Sequence, residues 1–352
     1  MDFGTAKPAV NSFERAKFTG SASEYFGIWI VNILLTVVTL GIYSAWAKVR
    51  RNRYFYGNTV LLGSSFEYHA TGKQIFIGRL IVFGVVIVLN ILASLHPLFG
   101  FVTLVLALIA MPWLVMRGIR FNARVTSYRN VRFDFVGTVG GAFVAVMVGG
   151  FLAAISFGLL APFASRWLNR YVFNNLRYGD RKFLVDPRIG LLYLALIIPA
   201  IITIIGIAIL GVLIAGAIAT QSSGDLPGAV LIGSIYSVTF GVLIAYALAG
   251  IVYRAAVHNI VWSSMVIDGR HRLRSDLSRG RYAWITLSNL LVTICTFGLM
   301  RPWAAVRLTR YVVEHTAIAV DGDIGDVVTA VQQSGGAIGA EYMSMEGFDF
   351  GF

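Results

Sequence analysis

The sequence predicts an all-α, polytopic membrane protein: a bundle of apolar helices carrying three internal helix–glycine–amphipathic-helix repeats and small cytoplasmic β-hairpins. Three observations predict it: the shortage of charge, long uncharged runs, and a motif that occurs three times. Only 13% of the 352 residues are charged and 57% are hydrophobic. Soluble domains carry about 25% charged residues, so this chain has too little charge for an ordinary water-facing surface.

Residues 80–116, 189–224 and 226–253 contain no Asp, Glu, Lys or Arg. A spanning helix needs about 20 apolar residues to cross roughly 30 Å of hydrocarbon. Each run holds one span, and the first holds two short ones. They pair into helical hairpins over 75–116 and 190–252.

The motif reads TLGIYSAWAKVRRNRY (39–54), SFGLLAPFASRWLNRY (156–171) and TFGLMRPWAAVRLTRY (296–311). Counting from Gly41, Gly158 and Gly298, position +5 is Trp46, Phe163 or Trp303, and position +6 is Ala47, Ala164 or Ala304. Position +12 is Arg53, Arg170 or Arg310, followed by Tyr54, Tyr171 or Tyr311. Ungapped recurrence of this kind marks one supersecondary unit used several times. An apolar helix ends at the glycine. A second helix begins about four residues later, where Pro162 and Pro302 suit a first helical turn. Its aromatic residues and arginines favour the membrane–water boundary. Trp46, Arg50, Arg53, Tyr54, Phe163, Arg170, Tyr171, Trp303, Arg307, Arg310 and Tyr311 are therefore candidates for contact with lipid headgroups. The alternative is a soluble helix packed against loops. The repeats extend over about 24–72, 137–185 and 283–315. The segment GNTVLLGSSFEYHATG (57–72) and its echo NVRFDFVGTVG (130–140) have the alternation and turn residues of small hairpins.

The net charge is +12. No basic domain stands apart from the apolar runs, so anionic membrane lipid is the expected partner and nucleic acid is not. The 29 Lys and Arg avoid two places, the turn at His96-Pro97 and the turn QSSGDLPG (221–228). The positive-inside rule makes both turns periplasmic. The apolar helices of the second and third repeats then have basic residues on both sides. Either four spans combine with three re-entrant or interfacial repeat helices, the favoured arrangement, or about seven helices cross and one or two loops defy the charge rule. The N-terminal segment 1–20 and the acidic tail 316–352 are expected in the cytoplasm, the tail partly disordered or docked on a basic face.

Residues 24–72, with the two further repeats, resemble the YjgN-like family of bacterial inner-membrane proteins, whose activity is not established. The resemblance covers most of 18–315 and implies an inner-membrane location. It transfers no catalytic residues.

The search for chemistry is mostly negative. The sequence contains no His-Glu-x-x-His, no phosphate-binding glycine loop and no paired-cysteine metal spacing. No cofactor or metal is expected, and no enzymatic activity. Glu67 and His69 form the one compact acid/histidine pair, more readily a surface hydrogen bond than a catalytic dyad. Arg79 lies just inside an apolar run, either snorkelling or functional. Asn32 and Asn289, nine residues before their glycines, suit helix–helix hydrogen bonds better than ion coordination. Two activities fit: a transport or channel-like protein, since broken helices build transport sites, or a membrane-organising scaffold that holds anionic lipid. Homo-oligomerisation is compatible with both.

Overall fold

A computed structural model describes residues 13–221 and 228–320. It corrects the all-α expectation. The chain is mixed, with apolar helices rising from an eleven-stranded antiparallel sheet that curls into a nearly closed ring. In chain order the elements are β1 (Phe13–Arg15), β2 (Lys17–Phe18), α1 (Ala22–Val38), α2 (Ser44–Gly57), β3 (Thr59–Leu61), β4 (Ser64–Tyr68), α3 (Gly72–Leu95), α4 (Pro97–Arg124), β5 (Thr126–Tyr128) and β6 (Val131–Phe135). Then come α5 (Val139–Ala142), a π-helical stretch Phe143–Val148, α6 (Gly149–Ile155), α7 (Ala161–Asn174), β7 (Leu176–Tyr178) and β8 (Arg181–Val185). The chain continues with α8 (Ile189–Gln221), α9 (Gly228–Ser263), β9 (Met265–Ile267), β10 (His271–Ser275), α10 (Arg279–Cys295), α11 (Arg301–Glu314) and β11 (Thr316–Ala319).

The expected hairpins are parts of this one sheet. β3 to β11 pair in sequence order, and β1 and β2 close the circle. β1 pairs with β11 (Phe13 opposite Ala319) and β2 with β3 (Lys17 opposite Val60). Buried Ala16 between them donates its N–H to Thr316 O at 2.9 Å. The two ends of the described chain thus meet in the ring, drawn from segments that sequence alone set apart as an N-terminal arm and an acidic tail. The tail beyond residue 320, and most of the turn QSSGDLPG, lie outside the described residues.

The short strands escaped detection because three to five residues carry little periodic signal. Their turns were legible. Leu62-Gly63, Arg129-Asn130 and Asp268-Gly269 all have positive φ, the geometry that matches tight hairpins to strand twist.

The ring divides the chain into five units, each a strand, an outgoing helix, a returning helix and a strand. The first, third and fifth units contain the three sequence repeats. The second (α3, α4) and fourth (α8, α9) contain the four helices that, among the described residues, are long and apolar enough to cross a membrane. In every unit the outgoing helix starts four residues after its strand, and the next strand starts two residues after the returning helix ends. All five hairpins therefore leave and re-enter the same ring. The arginines near the ends of the returning helices, Arg53, Arg170 and Arg310, come back to the ring because the chain turns.

Side chains from around the ring fill its centre. Phe183, Val185, Val261, Met265, Leu273 and Ile318 form a buried cluster, against which Leu61, Phe133 and Tyr178 pack. Aromatic contacts run from Phe66 to Tyr128 (4.8 Å between ring centres) and from Phe133 to Tyr178 (5.1 Å). The Tyr178 hydroxyl donates to Tyr128 O, and the Tyr128 hydroxyl to Leu61 O. Burial raises the Tyr178 phenol well above its ordinary pKa.

Candidate membrane interface

The repeated motif builds two structures: a joint at the ring and a tip away from it, headed by an exposed apolar residue. At the joint, each motif tyrosine reaches back 33 residues to its unit's first helix. The Tyr54 hydroxyl donates to Ser21 O at 2.7 Å, Tyr171 to Thr138 O at 2.9 Å and Tyr311 to Ser278 O at 3.4 Å. Ser21, Thr138 and Ser278 are the N-caps of those helices, each accepting an N–H from the first turn. Gly20 and Gly137 leave the space: a Cβ at either would crowd the tyrosine hydroxyl. Tyr171 and Tyr311 are buried, so these rings serve the protein's own packing. Tyr171→Phe is expected to lose about 1 kcal/mol of stability, read as a lower melting temperature of the detergent-solubilised protein; an unchanged midpoint would show the bond to be idle.

The arginines clamp one unit to the next. Arg53 donates to Tyr68 O (3.3 Å) and Ala70 O (3.1 Å), Arg120 to Phe135 O (3.1 Å) and Gly137 O (3.0 Å), and Arg310 to Gly20 O (2.8 Å). Asn259 bonds Leu277 through both its oxygen and its nitrogen. Arg170 approaches Asp186 at 3.6 Å, and Arg166 binds the same carboxylate at 2.8 Å. The Arg166 hydrogen bond holds Asp186 below its ordinary pKa. That junction therefore keeps its pairing at neutral pH and loses it only as pH falls below the usual carboxylate range. Each clamp, at 53, 120, 170, 259 and 310, lies four residues before the end of its helix. Sequence reading found three of the five. Arg120 and Asn259 were missed because their units lack the glycine motif; the common distance to the following strand would have exposed them.

The remaining motif residues pack the returning helices. Trp46 stacks near Tyr43 (6.2 Å) and Phe76 (5.7 Å) and covers Gly72, where a Cβ would overlap the indole. Gly72→Ala should displace Trp46, costing about 1–3 kcal/mol by overpacking and changing tryptophan fluorescence; native fluorescence and melting would refute the contact. Arg50 donates to the Tyr43 hydroxyl. Phe163 contacts Trp167 and Tyr193. Arg307 lies 5.0 Å over Trp303 and donates to Ser288 Oγ and Asn289 Oδ1, while Asn289 Nδ2 donates to Ala304 O. Asn32, also buried, leaves its Oδ1 without a partner. Arg79 donates to Ser44 Oγ at 2.7 Å, tying α3 to the start of α2.

Glu67 and His69 meet a third residue, Ser127. The hydroxyl lies 2.7 Å from His69 Nε2, and the Glu67 carboxylate lies 3.4 Å from that same nitrogen and 3.2 Å from the hydroxyl. In a serine–histidine–acid relay the acid orients the opposite ring nitrogen. Here both partners share one, which is the arrangement of a strand-surface hydrogen-bond cluster.

The tips were not foreseen. Thr39, Ser156 and Thr296 hydroxyls each bond back to the outgoing helix and accept the N–H of Tyr43, Leu160 or Met300, the residue just before the returning one. Between them stand Leu40, Phe157 and Phe297, with φ of 49°, 50° and 50°. The left-handed region costs a side-chain-bearing residue roughly 1–2 kcal/mol. All three point outward, at 94%, 80% and 98% exposure. A glycine follows each, at φ near 90°.

The third unit's tip lies level with the middle of α9. The Tyr246 hydroxyl donates to Phe157 O at 3.4 Å, and Tyr246 lies midway along α9, so half of that helix extends past the tip. From Arg254, the nearest cation on α9 in the ring direction, to Tyr246 is about 12 Å at 1.5 Å per residue.

The chain matches, over residues 13–345, a family described as bacterial protein of unknown function, DUF898. The chain belongs to this family. Among its relatives, the inner membrane protein YjgN of Salmonella typhimurium strain LT2 is 27% identical over 350 residues, covering 87% of this chain and 88% of that one. The inner membrane protein YjgN of Escherichia coli K12 is 39% identical over 119 residues, 34% of this chain and 30% of the relative. No solved structure matches. With four helices able to span, this DUF898 chain is an integral membrane protein, similar to proteins of the bacterial inner membrane. The family match starts at Phe13, the first residue of the ring.

Proposed function

We propose that this DUF898 protein is a membrane-organising scaffold: a ring on the cytoplasmic face, two hairpins through the bilayer, and three apolar hairpins wedged into the nearer leaflet. The observation that carries the proposal is the bond between Tyr246 and the Phe157 carbonyl. It sets the third unit's short hairpin against the middle of a crossing helix, about 12 Å past Arg254 at 1.5 Å per residue, within one leaflet of a hydrocarbon layer roughly 30 Å thick. Volume added to one leaflet expands it relative to the other and bends the sheet. Cations near the ring, each worth about 1 kcal/mol beside anionic lipid, hold that leaflet to the protein. The aliphatic and aromatic filling of the ring weighs against conduction along its axis.

Reconstitution tests the reading. In vesicles containing anionic lipid, the protein should reduce vesicle diameter, measured by electron cryo-microscopy, and in neutral lipid it should do so much less. Solute flux in neutral vesicles without a change of shape would favour transport instead. Orientation has its own test. In a Cys295→Ala background, Ser94→Cys should react with an impermeant thiol reagent in whole cells and Lys182→Cys only after lysis; the reverse pattern would put the ring outside.

A further inference from the structure

We propose that the groove between the third and fourth units binds one anionic phospholipid, its phosphate between Arg166 and Arg188 and an acyl chain along α8. The groove has a volume of about 740 Å³. It is lined by Arg166, Asp186 and Arg188 together with Ile189, Leu191 and Leu194 at the start of α8. It thus joins charge to grease where the uncharged run of α8 begins, which is where a phospholipid joins its phosphate to its chains.

The groove coincides with the one unit that lacks a hydroxyl residue before its outgoing helix. Four outgoing helices are preceded by a hydroxyl residue: Ser21, Thr71, Thr138 and Ser278 all accept an N–H from the first turn. The fourth unit has Arg188 at that position, after buried Pro187. Helix capping favours Ser, Thr, Asp or Asn there, so the arginine forgoes a cap. Its side chain is exposed and has no hydrogen-bond or ion-pair partner among the described residues.

Arg166 supplies a second observation. Its terminal nitrogen binds Asp186 at 2.8 Å, but its Nε is shielded from solvent and has no partner. Asp186 thus engages only one edge of the guanidinium, which leaves the group able to share an anion with Arg188. Arg166 and Arg170 share the single carboxylate of Asp186, and unpaired Arg188 lines the same groove, so the junction keeps positive charge for an anion. Leu191 and Leu194 are 45% and 60% exposed, a free apolar wall for the chain.

This inference rests on the reading of the ring side as the anionic-lipid face. The full chain in neutral detergent is titrated with dioctanoyl phosphatidylglycerol, dioctanoyl phosphatidylcholine and glycerol 3-phosphate, and bound ligand is counted by native mass spectrometry. One saturable phosphatidylglycerol site is expected, with phosphatidylcholine and glycerol phosphate each at least tenfold weaker. Arg188→Ser installs the hydroxyl of the other four units, so it should fold normally while weakening phosphatidylglycerol roughly tenfold. Leu194→Glu should weaken the lipid and leave glycerol phosphate unaffected. Equal binding of phosphatidylcholine, binding of glycerol phosphate as tight as the lipid, or full affinity in Arg188→Ser would each overturn the proposal. Arg188→Ser leaves the three tips intact and should still remodel vesicles; loss of remodelling in the unaltered protein, with this site still filling, would count against the scaffold alone.

Discussion

Leu40→Asp, Phe157→Asp and Phe297→Asp, combined in one chain, are expected to abolish vesicle remodelling while leaving the protein folded and in the membrane. The three side chains are 94%, 80% and 98% exposed and touch little of the protein, so their loss removes few internal contacts. Surface changes away from packed features usually alter stability by less than about 0.5 kcal/mol. Aspartate also tolerates the left-handed backbone at these positions better than leucine or phenylalanine. In the bilayer the effect is far larger. A carboxylate near the centre of the hydrocarbon costs about 2.5–3.5 kcal/mol on insertion scales. Three such costs would expel the short hairpins towards the headgroups. The crossing helices are untouched, so the protein should still fractionate with membranes. Native-sized vesicles with the triple variant and small vesicles with the unaltered chain are the expected pair of outcomes. Equal vesicle diameters would show that the tips are not wedges.

Arg310→Ala should open the ring between the fifth and first units. This clamp spans 290 residues, from the end of α11 to Gly20 O. The strand it secures is short: β1 and β2 hold to the ring through five register pairs, three with β11 and two with β3. A hydrogen bond from a charged donor contributes about 1.5–3 kcal/mol, and its removal strands a partly buried carbonyl. The melting temperature should fall by roughly 3 °C, taking about 2 kcal/mol and the usual scaling of unfolding entropy with chain length. The loss should be local. Amide exchange should accelerate over residues 13–20 and 316–319 and stay slow over β5 to β8. Arg120→Ala makes the contrast, since its two carbonyls lie at Phe135 and Gly137 and exchange should rise there instead. Uniform acceleration in both variants would mean that the arginines stabilise the molecule without clamping particular junctions.

Much of the helical architecture was legible because its causes are local. The uncharged runs around 80–116 and 189–253 declare themselves by composition, and Thr/Ser-x-Gly ends a helix through bonds made within a few residues. The repeat was visible because three units keep the same spacing, visible again in the 33-residue reach of Tyr54, Tyr171 and Tyr311. The roles of those residues were less legible. A tyrosine and an arginine at a helix end look alike whether they face lipid or bond the protein's own carbonyls. Only the fold brings Gly20 to Arg310. The tips were hidden for the opposite reason. Leu40, Phe157 and Phe297 look like more of an apolar run, and only backbone geometry shows them thrust outward.

By itself the sequence determined that this chain lives in a membrane, which helices can cross, and that one motif is used three times, because burial of apolar surface and helix termination are short-range matters. The tertiary structure decided the ring. Strands of two to five residues do not hold alone; each exists because its neighbours, up to some 300 residues away, complete its hydrogen bonds. That closure also turned three repeats into five units.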